Sequence, residues 1–258
     1  MIRLFAQERH RLIIDRLNEN KTIRTSELIE AFGVSFETIR RDLEYLESKG
    51  LLQRVHGGAI LRELDYSHEI PLPIRESIYR EEKSEIARIA ARYVEDGMSV
   101  ALDVSTTNTW IAKELKARCK RLTIITNSLV IANELISMPD YTLILIGGTI
   151  RHEEQSLVGG LAEEFAARFY ADLFLMSLSG VTLKEGITDN AIGETQIKKI
   201  MHTNAKRTIA LADSSKFEQI SLIRVCGCEE VERFVTDSRI DRKLVERYRQ
   251  EGIEIVYE

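Results

Sequence analysis

Cysteine is scarce in this chain. Cys119, Cys226 and Cys228 are its only three in 258 residues. They are too few and too clustered for a disulfide framework. Cys226-Gly227-Cys228 has one intervening residue, fewer than the roughly two to four of common zinc hairpins, and no second ligand pair follows. The five histidines are scattered without an H-E-x-x-H run. Neither a G-x-G-x-x-G segment nor a P-loop lysine motif occurs, so nucleotide binding is unsupported. No apolar run reaches the roughly 18 residues that span a bilayer. The start, MIRLFAQERHRLIIDRL, breaks its apolar residues with charges and does not read as a secretory signal. These absences lead us to expect a soluble cytoplasmic protein with no metal, cofactor or membrane partner. Positive charge is also short, with 36 Lys+Arg against 41 Asp+Glu and a net charge of -5. Taken whole, that balance counts against a nucleic-acid partner.

What is present modifies that exclusion. At 44% hydrophobic and 30% charged residues the chain can bury a sizeable core, and its length allows one large domain or two ordinary ones. Its charge is unevenly spread. Residues 1–62 hold 11 Lys+Arg and 9 Asp+Glu, a net +2, which leaves -7 for the rest. Such asymmetry suggests different partners for the two parts. Only three prolines occur, two of them Pro71 and Pro73. The stretch around them has neither helical nor strand period, and proline biases its predecessor toward extended geometry. A linker is placed at 63–74, between a domain at 1–62 and a domain at 75–258.

The first domain reads as helices followed by a hairpin. Ile13, Ile14 and Leu17 share one stripe of a helix over 6–18. Thr25 is expected to cap the short helix SELIEAF, which stops at Gly33. Ser35 caps the next helix, whose buried stripe is Ile39, Leu43 and Leu46 and whose end is Gly50. Two short helices joined at a glycine turn form a helix-turn-helix, here at about 23–42. Gly57-Gly58 between apolar runs predicts a hairpin, and helices plus hairpin make a winged helix. With Ile39 at zero on the helical wheel, Arg40 lies near 100° and Arg41 near 200°. Arg41 thus has no packing role. Ser35, Phe36, Thr38 and Arg40 occupy the first turns, where a recognition helix meets base edges and phosphates. Arg54 and His56 on the wing are placed to touch phosphate or the minor groove. The competing reading is a small helical interaction domain whose charged face is merely solvated.

The order Arg9, Ile13, Leu17, then Ser35, Thr38, Ile39, Arg40, Arg41, Asp42 and Leu43, within SFETIRRDLEYLESKGLLQRVHGGA, resembles the DeoR-family helix-turn-helix. The resemblance implies a DNA-binding transcriptional regulator, most often a repressor of sugar or polyol utilisation genes. Its partner would be double-stranded operator DNA.

From residue 75 short aliphatic strands alternate with helices. Strands are expected at MSVALDV, LTIIT, TLILI, ADLFLMSL, TIALA and IEIVY. Helices are expected around 81–95, 106–117 and 128–137, over LAEEFAARF and at 191–203. This alternation predicts an α/β domain with a mainly parallel sheet covered on both faces. Ligands of such sheets bind at the carboxyl ends of the strands. The polar residues gather at those ends: Asp103, Ser105, Thr106 and Thr107; then Asn127 and Ser128; then Gly147-Gly148; then Ser177, Ser179 and Gly180; then Asp213-Ser-Ser-Lys216. Helix N-termini lined by hydroxyls bind phosphate. Lys216 would add a mobile cation, and Asp103 or Asp189 would accept hydrogen bonds from sugar hydroxyls. Each has a plainer role available: Ser105 and Ser128 as helix caps, Asp213 to Lys216 as a solvated turn, Gly147-Gly148 as a bend. Their convergence on one edge favours a phosphorylated-ligand site.

The resemblance continues here through TNSLVIANEL, LIGGTIR, SLVGGLAE, ETQIKKIM and LADSSKF. It implies an effector domain similar in fold to ribose-5-phosphate isomerase that responds to phosphorylated sugars. The family pattern has glycine where this chain has Ser105, so the loop must accommodate a Cβ. Ser105, Trp110 and the run ITDNAI look like the subgroup that regulates 6-deoxyhexose use. They imply rhamnulose- or fuculose-1-phosphate as effector; an activator, or a repressor answering another sugar phosphate, remains the alternative. Trp110 either stacks on the sugar or packs its helix on the sheet. A sugar-phosphate isomerase is the rival from another class, but no paired catalytic carboxylates are evident, and fold does not carry activity. A reader of only +2 binds DNA weakly alone, so a homodimer or homotetramer is expected.

Overall fold

The computed structural model describes residues 4–61, 75–76 and 78–258, without the side chains of Gln7, Asn18 and Glu19. The linker placed at 63–74 lies outside the described residues. Contacts divide the chain into two units, Met1–Arg80 and Glu81–Glu258.

In the first unit, helix α1 spans Ala6–Asn20 and α2 spans Thr25–Phe32. Helix α3 spans Phe36–Ser48. The stripes read from the sequence are buried: Ile13, Ile14 and Leu17 on α1, Ile39, Leu43 and Leu46 on α3. Ile78, from beyond the linker, joins that core. Gly33 stops α2 in a left-handed conformation, and the Ser35 hydroxyl accepts from the Thr38 amide at 3.2 Å to cap α3. Thr25 is the first residue of α2 rather than its cap. Arg24 precedes the helix, and Glu27 reaches back toward the Arg24 amide at 3.4 Å. The hairpin consists of β2, Leu52–Val55, and β3, Gly58–Leu61. The sequence did not reveal β1, Thr22–Arg24, which pairs antiparallel with β3 to give the order β1-β3-β2. Three residues between two helices carry too little period to announce a strand.

That pairing depends on Gly58. A Cβ there would lie 2.0 Å from the Ile23 carbonyl oxygen, a backbone atom with no freedom to withdraw. Gly58→Ala is expected to destabilise the unit by about 3 kcal/mol, the upper end for forcing atoms into a packed site. Gly57→Ala faces open space and bears only the strain of its φ of +81°, on the order of 1–2 kcal/mol. Melting curves of the two variants decide the matter, and equal losses would contradict the close approach.

In the second unit, α4 is Arg80–Ala90, α5 Thr106–Arg118 and α6 Leu129–Leu135. Helix α7 is Gly160–Ala166, α8 Ile192–Thr203 and α9 Arg242–Gln250. The central strands are β4 (Ser99–Leu102), β5 (Thr123–Thr126), β6 (Thr142–Leu145), β9 (Leu173–Ser177), β12 (Thr208–Leu211), β14 (Arg233–Val235) and β15 (Ile255–Val256). They form one sheet in the order β15-β14-β12-β9-β4-β5-β6, every pair parallel. Val100, Leu102, Leu173, Leu175, Ile209 and Leu211 face one apolar core, shared with α4, α5 and α6. Ala101, Phe174, Met176 and Ala210 face the other, shared with α7, α8 and α9. Strands buried on both faces read as continuous apolar runs, which is why the sequence showed β4, β5, β9 and β12 clearly; β14, only three residues long, was not among the strands expected.

The chain winds outward from β4 through β5 to β6, then returns and winds the other way from β9. Right-handed crossovers then require helices on opposite faces, as found. The reversal makes β4 and β9 the switch point. Two smaller groups of strands lie outside this sheet. Strands β7, Thr149–Arg151, and β8, Ser156–Val158, form a hairpin. Strands β10 (Gly180–Thr182), β11 (Gly186–Asp189) and β13 (Ile223–Cys226) form a three-stranded antiparallel sheet.

Candidate functional site

The first unit presents α3 and the wing. Phe36 is 61% exposed on the first turn, and the side chain of Arg41 is 75% exposed. Thr38 lies against its cap, with the Ser35 and Thr38 hydroxyls 2.9 Å apart. Glu37 takes Arg40 at 2.8 and 2.9 Å and Arg41 at 3.1 Å. Arg40 also pairs with Glu44, which receives Arg54 at 3.0 Å; Arg54 in turn donates to Glu47 at 2.7 Å. His56 is exposed at the hairpin turn. Ser35, Phe36, Thr38, Arg40 and Arg41 thus share the start of one helix, with Arg54 reached through Glu44. The sequence did not reveal how fully the arginines are engaged with carboxylates.

Behind this face lies a buried polar cluster. Asp42, on the inner side of α3, accepts from Arg9 at 2.7 and 3.0 Å and contacts His10 Nε2 at 2.9 Å. His10 stacks on Tyr45, with ring centroids 4.7 Å apart. Burial alone would raise the Asp42 carboxyl, but the hydrogen bonds from His10 and Arg9 outweigh it and hold the group below the ordinary range. The cluster fixes α3 to α1.

In the second unit the polar residues meet at the switch point. Asp103 follows β4, and its carboxylate bridges to β9. It accepts from the Ser177 amide at 3.0 Å, the Ser177 hydroxyl at 2.7 Å and the Asn108 amide nitrogen at 2.6 Å. Lys198, on α8, places its ammonium 3.0 Å from Asp103, donates to the Ser177 carbonyl at 2.7 Å and pairs with Asp189. Asp189 also accepts from Ser179 at 2.6 Å. Burial would lower Lys198, but two carboxylates raise it above the usual lysine range, so it is a cation. Burial pushes Asp103 up more than its partners pull it down. For Asp189 burial is outweighed by Lys198, and the group falls below its ordinary value. The sequence reading looked to Lys216 for positive charge and missed Lys198, which has no periodic mark and stands in ETQIKKIM beside the more exposed Lys199. Only the acidic pair at 103 and 189 could have signalled it.

Ser105 is extended, φ −167°, so its Cβ costs nothing where the family pattern has glycine. Its hydroxyl caps α5 by accepting from the Asn108 amide at 2.9 Å. Thr106 and Thr107 are buried in the first turn, and their amides have no hydrogen-bond acceptor among the described residues. Asn108 is wholly buried, and its Oδ1 has no partner among the described residues. Asn127 accepts from the Val104 amide at 3.1 Å, tying the end of β5 to the loop after β4. Ser128 caps α6. Gly148 has φ +152°, and a Cβ there would lie 2.7 Å from the Val158 carbonyl oxygen, so it admits the β7–β8 hairpin to the edge. On that hairpin Ser156 and Arg151 bind Glu194 of α8 at 2.6 and 2.9 Å.

Gly180 opens β10 beside Ser177 and Ser179, against the Gln219 carbonyl. Asp213 caps a single turn, Ser214–Lys216, by accepting from the Ser215 amide at 3.1 Å, and Lys216 is half-buried there at the end of β12. Trp110 packs partly buried on the core shared by α4, α5 and α6, with the Lys113 ammonium 4.9 Å from its ring centroid. The six positions from Asp103 to Ser128 lie together at the ends of β4 and β5.

Among the described residues, no helix is long and apolar enough to cross a membrane, and no group of three or more His, Cys, Asp or Glu could hold a metal ion. Residues 9–64 match the model of the DeoR-like helix-turn-helix domain, and residues 79–238 match that of the DeoR C terminal sensor domain. The HTH-type transcriptional regulator GolR of Listeria innocua is 35% identical over 98% of both chains. The glycerol-3-phosphate regulon repressor of Escherichia coli is 31% identical over 90% of each. Among solved structures, ribose 5-phosphate isomerase A from Methanocaldococcus jannaschii aligns with a TM-score of 0.39 at 18% identity, covering 52% of this chain and 53% of that one. The curated relatives are regulators rather than enzymes, and both units match in order along the chain: the protein belongs to the DeoR family of DNA-binding transcriptional regulators.

Proposed function

We propose that the protein represses a sugar-utilisation operon and is released from its operator by a phosphorylated sugar bound at the switch point of the second unit. The observation that carries the ligand class is the start of α5. There two amides without acceptors among the described residues, on the largely buried Thr106 and Thr107, adjoin the crevice between β4 and β9. Such a terminus supplies N–H donors and a positive helix end to a phosphate. In this reading Ser105, Asn127, Ser128, Gly148, Gly180 and Lys216 complete the phosphate side of the site, while Asp103 and Asp189 serve the sugar hydroxyls. Both carboxylates are occupied by protein donors here, so ligand hydroxyls bind by exchanging with Ser177 and Ser179.

Within the class, a 6-deoxyketose 1-phosphate such as rhamnulose- or fuculose-1-phosphate is the first candidate, from Ser105 and the ITDNAI run. Trp110 lends that choice no support, since it packs on the core. A glycerol-3-phosphate regulon repressor among the relatives makes that ester the natural comparison. Ligand binding shifts the operator equilibrium only through different affinities for the bound and released states. A homodimer or homotetramer supplies the several half-site contacts that a +2 reader needs.

The test is fluorescence anisotropy of a labelled operator duplex titrated with rhamnulose-1-phosphate, fuculose-1-phosphate and glycerol-3-phosphate. Release by either deoxyketose ester is expected. Release by glycerol-3-phosphate alone rejects the deoxy sugar, and no release by any sugar phosphate rejects the class. In the same assay Arg41→Ala is expected to lose about tenfold or more in operator affinity. It should retain the thermal stabilisation given by the effector. Loss of both would refute the division of labour between the two units.

A further inference from the structure

The exposed face of the first unit carries an alternating row of charges. Arg41, Glu37, Arg40, Glu44, Arg54 and Glu47 are joined in that order by ion pairs, from the first turn of α3 to the wing strand β2. Three arginines meet three glutamates, so the row that would face DNA is neutral in itself. Glu37 is the first-turn member, and its two oxygens engage both Arg40 and Arg41. No core residue requires it, since its side chain is half-exposed.

We infer that Glu37 is a specificity-determining residue that suppresses binding to arbitrary duplex by competing with DNA phosphates for Arg40 and Arg41. This rests on the assignment of α3 as the DNA-reading helix. On any duplex, phosphates attract the two guanidinium groups, and neutralised phosphates supply nearly all of non-specific affinity. Here each arginine must first exchange a carboxylate for a phosphate, and the released Glu37 stays in the first turn, facing the same anions. On the operator, base-edge contacts that only the right sequence provides compensate for that repulsion. The glutamate therefore weakens wrong complexes more than right ones, which is how specificity arises by disfavouring competitors.

The test uses the full chain and two labelled duplexes of equal length. One is selected by the wild-type protein from a randomised library, and the other is a scrambled version of it. Binding of the wild type to its selected duplex, with loss of that binding in Arg41→Ala, secures the underlying assignment before the Glu37 variants are measured. Glu37→Gln is expected to raise affinity for the scrambled duplex about fivefold and to steepen the salt dependence by about one phosphate equivalent. Affinity for the selected duplex should stay within about twofold, so the specificity ratio falls. Glu30→Gln, an exposed change of equal charge on α2, should move the ratio far less. Glu44→Gln, which frees Arg40 and Arg54 from the other side, should act in the same direction as Glu37→Gln. It decides the matter if Glu37→Gln fails to fold by circular dichroism. An unchanged ratio overturns the inference, as does an equal effect of Glu30→Gln. So does a loss of affinity confined to one base pair of the selected duplex, since Glu37 would then read a base.

Discussion

Lys198→Met should lower the melting temperature of the second unit on the order of 10 °C. Lys198 is the cation between Asp103 and Asp189, and its side chain is 3% exposed. Removing one partner from a buried ion pair typically costs about 3–5 kcal/mol, because the remaining charge loses both its solvent and its partner. Two carboxylates are stranded here. A domain of this size loses about 2–4 °C per kcal/mol. Fluorescence of Trp110, the only tryptophan, follows this unit selectively. Without Lys198 the stranded carboxylates are driven upward in pKa, a shift that destabilises the folded state while they remain charged. The deficit should therefore shrink as pH falls and they take up protons. Adding Asp103→Asn should recover part of the loss, since it removes one excess charge. A melting temperature within about 2 °C of wild type would show that the triad carries little of the unit's stability. The same substitution should abolish effector release. It frees the crevice at the Ser177 carbonyl, where Lys198 ties α8 to β9.

Asp42→Ala should have its largest effect on the other unit. Arg9 and His10 both depend on that carboxylate, and the Arg9 side chain is 11% exposed. The expected cost is again about 3–5 kcal/mol. Small domains have roughly 0.05–0.15 kcal/mol of stability per residue, so this is much of what a unit ending at Arg80 possesses. Operator affinity should fall by about a hundredfold or more, with the Trp110 transition unchanged. Asp42→Asn keeps the shape and one acceptor and should be milder. A folded-state carboxyl held below its ordinary value of 3.8 contributes stability that is complete above that value. The contribution is lost as pH falls through the depressed value. Acid melting of the wild-type first unit should therefore steepen below that range, and Asp42→Asn should remove the steepening. Operator affinity of Asp42→Ala within about threefold of wild type would show that α3 holds its place without the pair.

By itself the sequence determined most of the elements, but it began the second domain at 75, whereas contacts keep residues as far as Arg80 with the first unit. Period and punctuation suffice where burial is one-sided, as on α1 and α3, or complete, as in β4, β9 and β12. The run from Ser35 to Leu43 carried the resemblance to the DeoR-like helix-turn-helix, whose model matches residues 9–64. Gathering Asp103, Ser105, Thr106, Thr107, Asn127 and Ser128 at strand ends was also legible, since a parallel strand must deliver its carboxyl end to one edge. Strand order was not. Whether β4 neighbours β9 or β6 depends on non-local pairing, to which local period is blind. That order brought Asp103 against Ser177, and the winding of α8 brought Lys198 between Asp103 and Asp189. No local pattern distinguishes Lys198 from Lys199 beside it; only the packing of α8 buries one fully and leaves the other half-buried. The same holds for the charged face of α3. Arg40, Arg41 and Arg54 could be named from the chain, but their engagement by Glu37, Glu44 and Glu47 belongs to the fold, because a wing strand had to return beside the helix to complete the row.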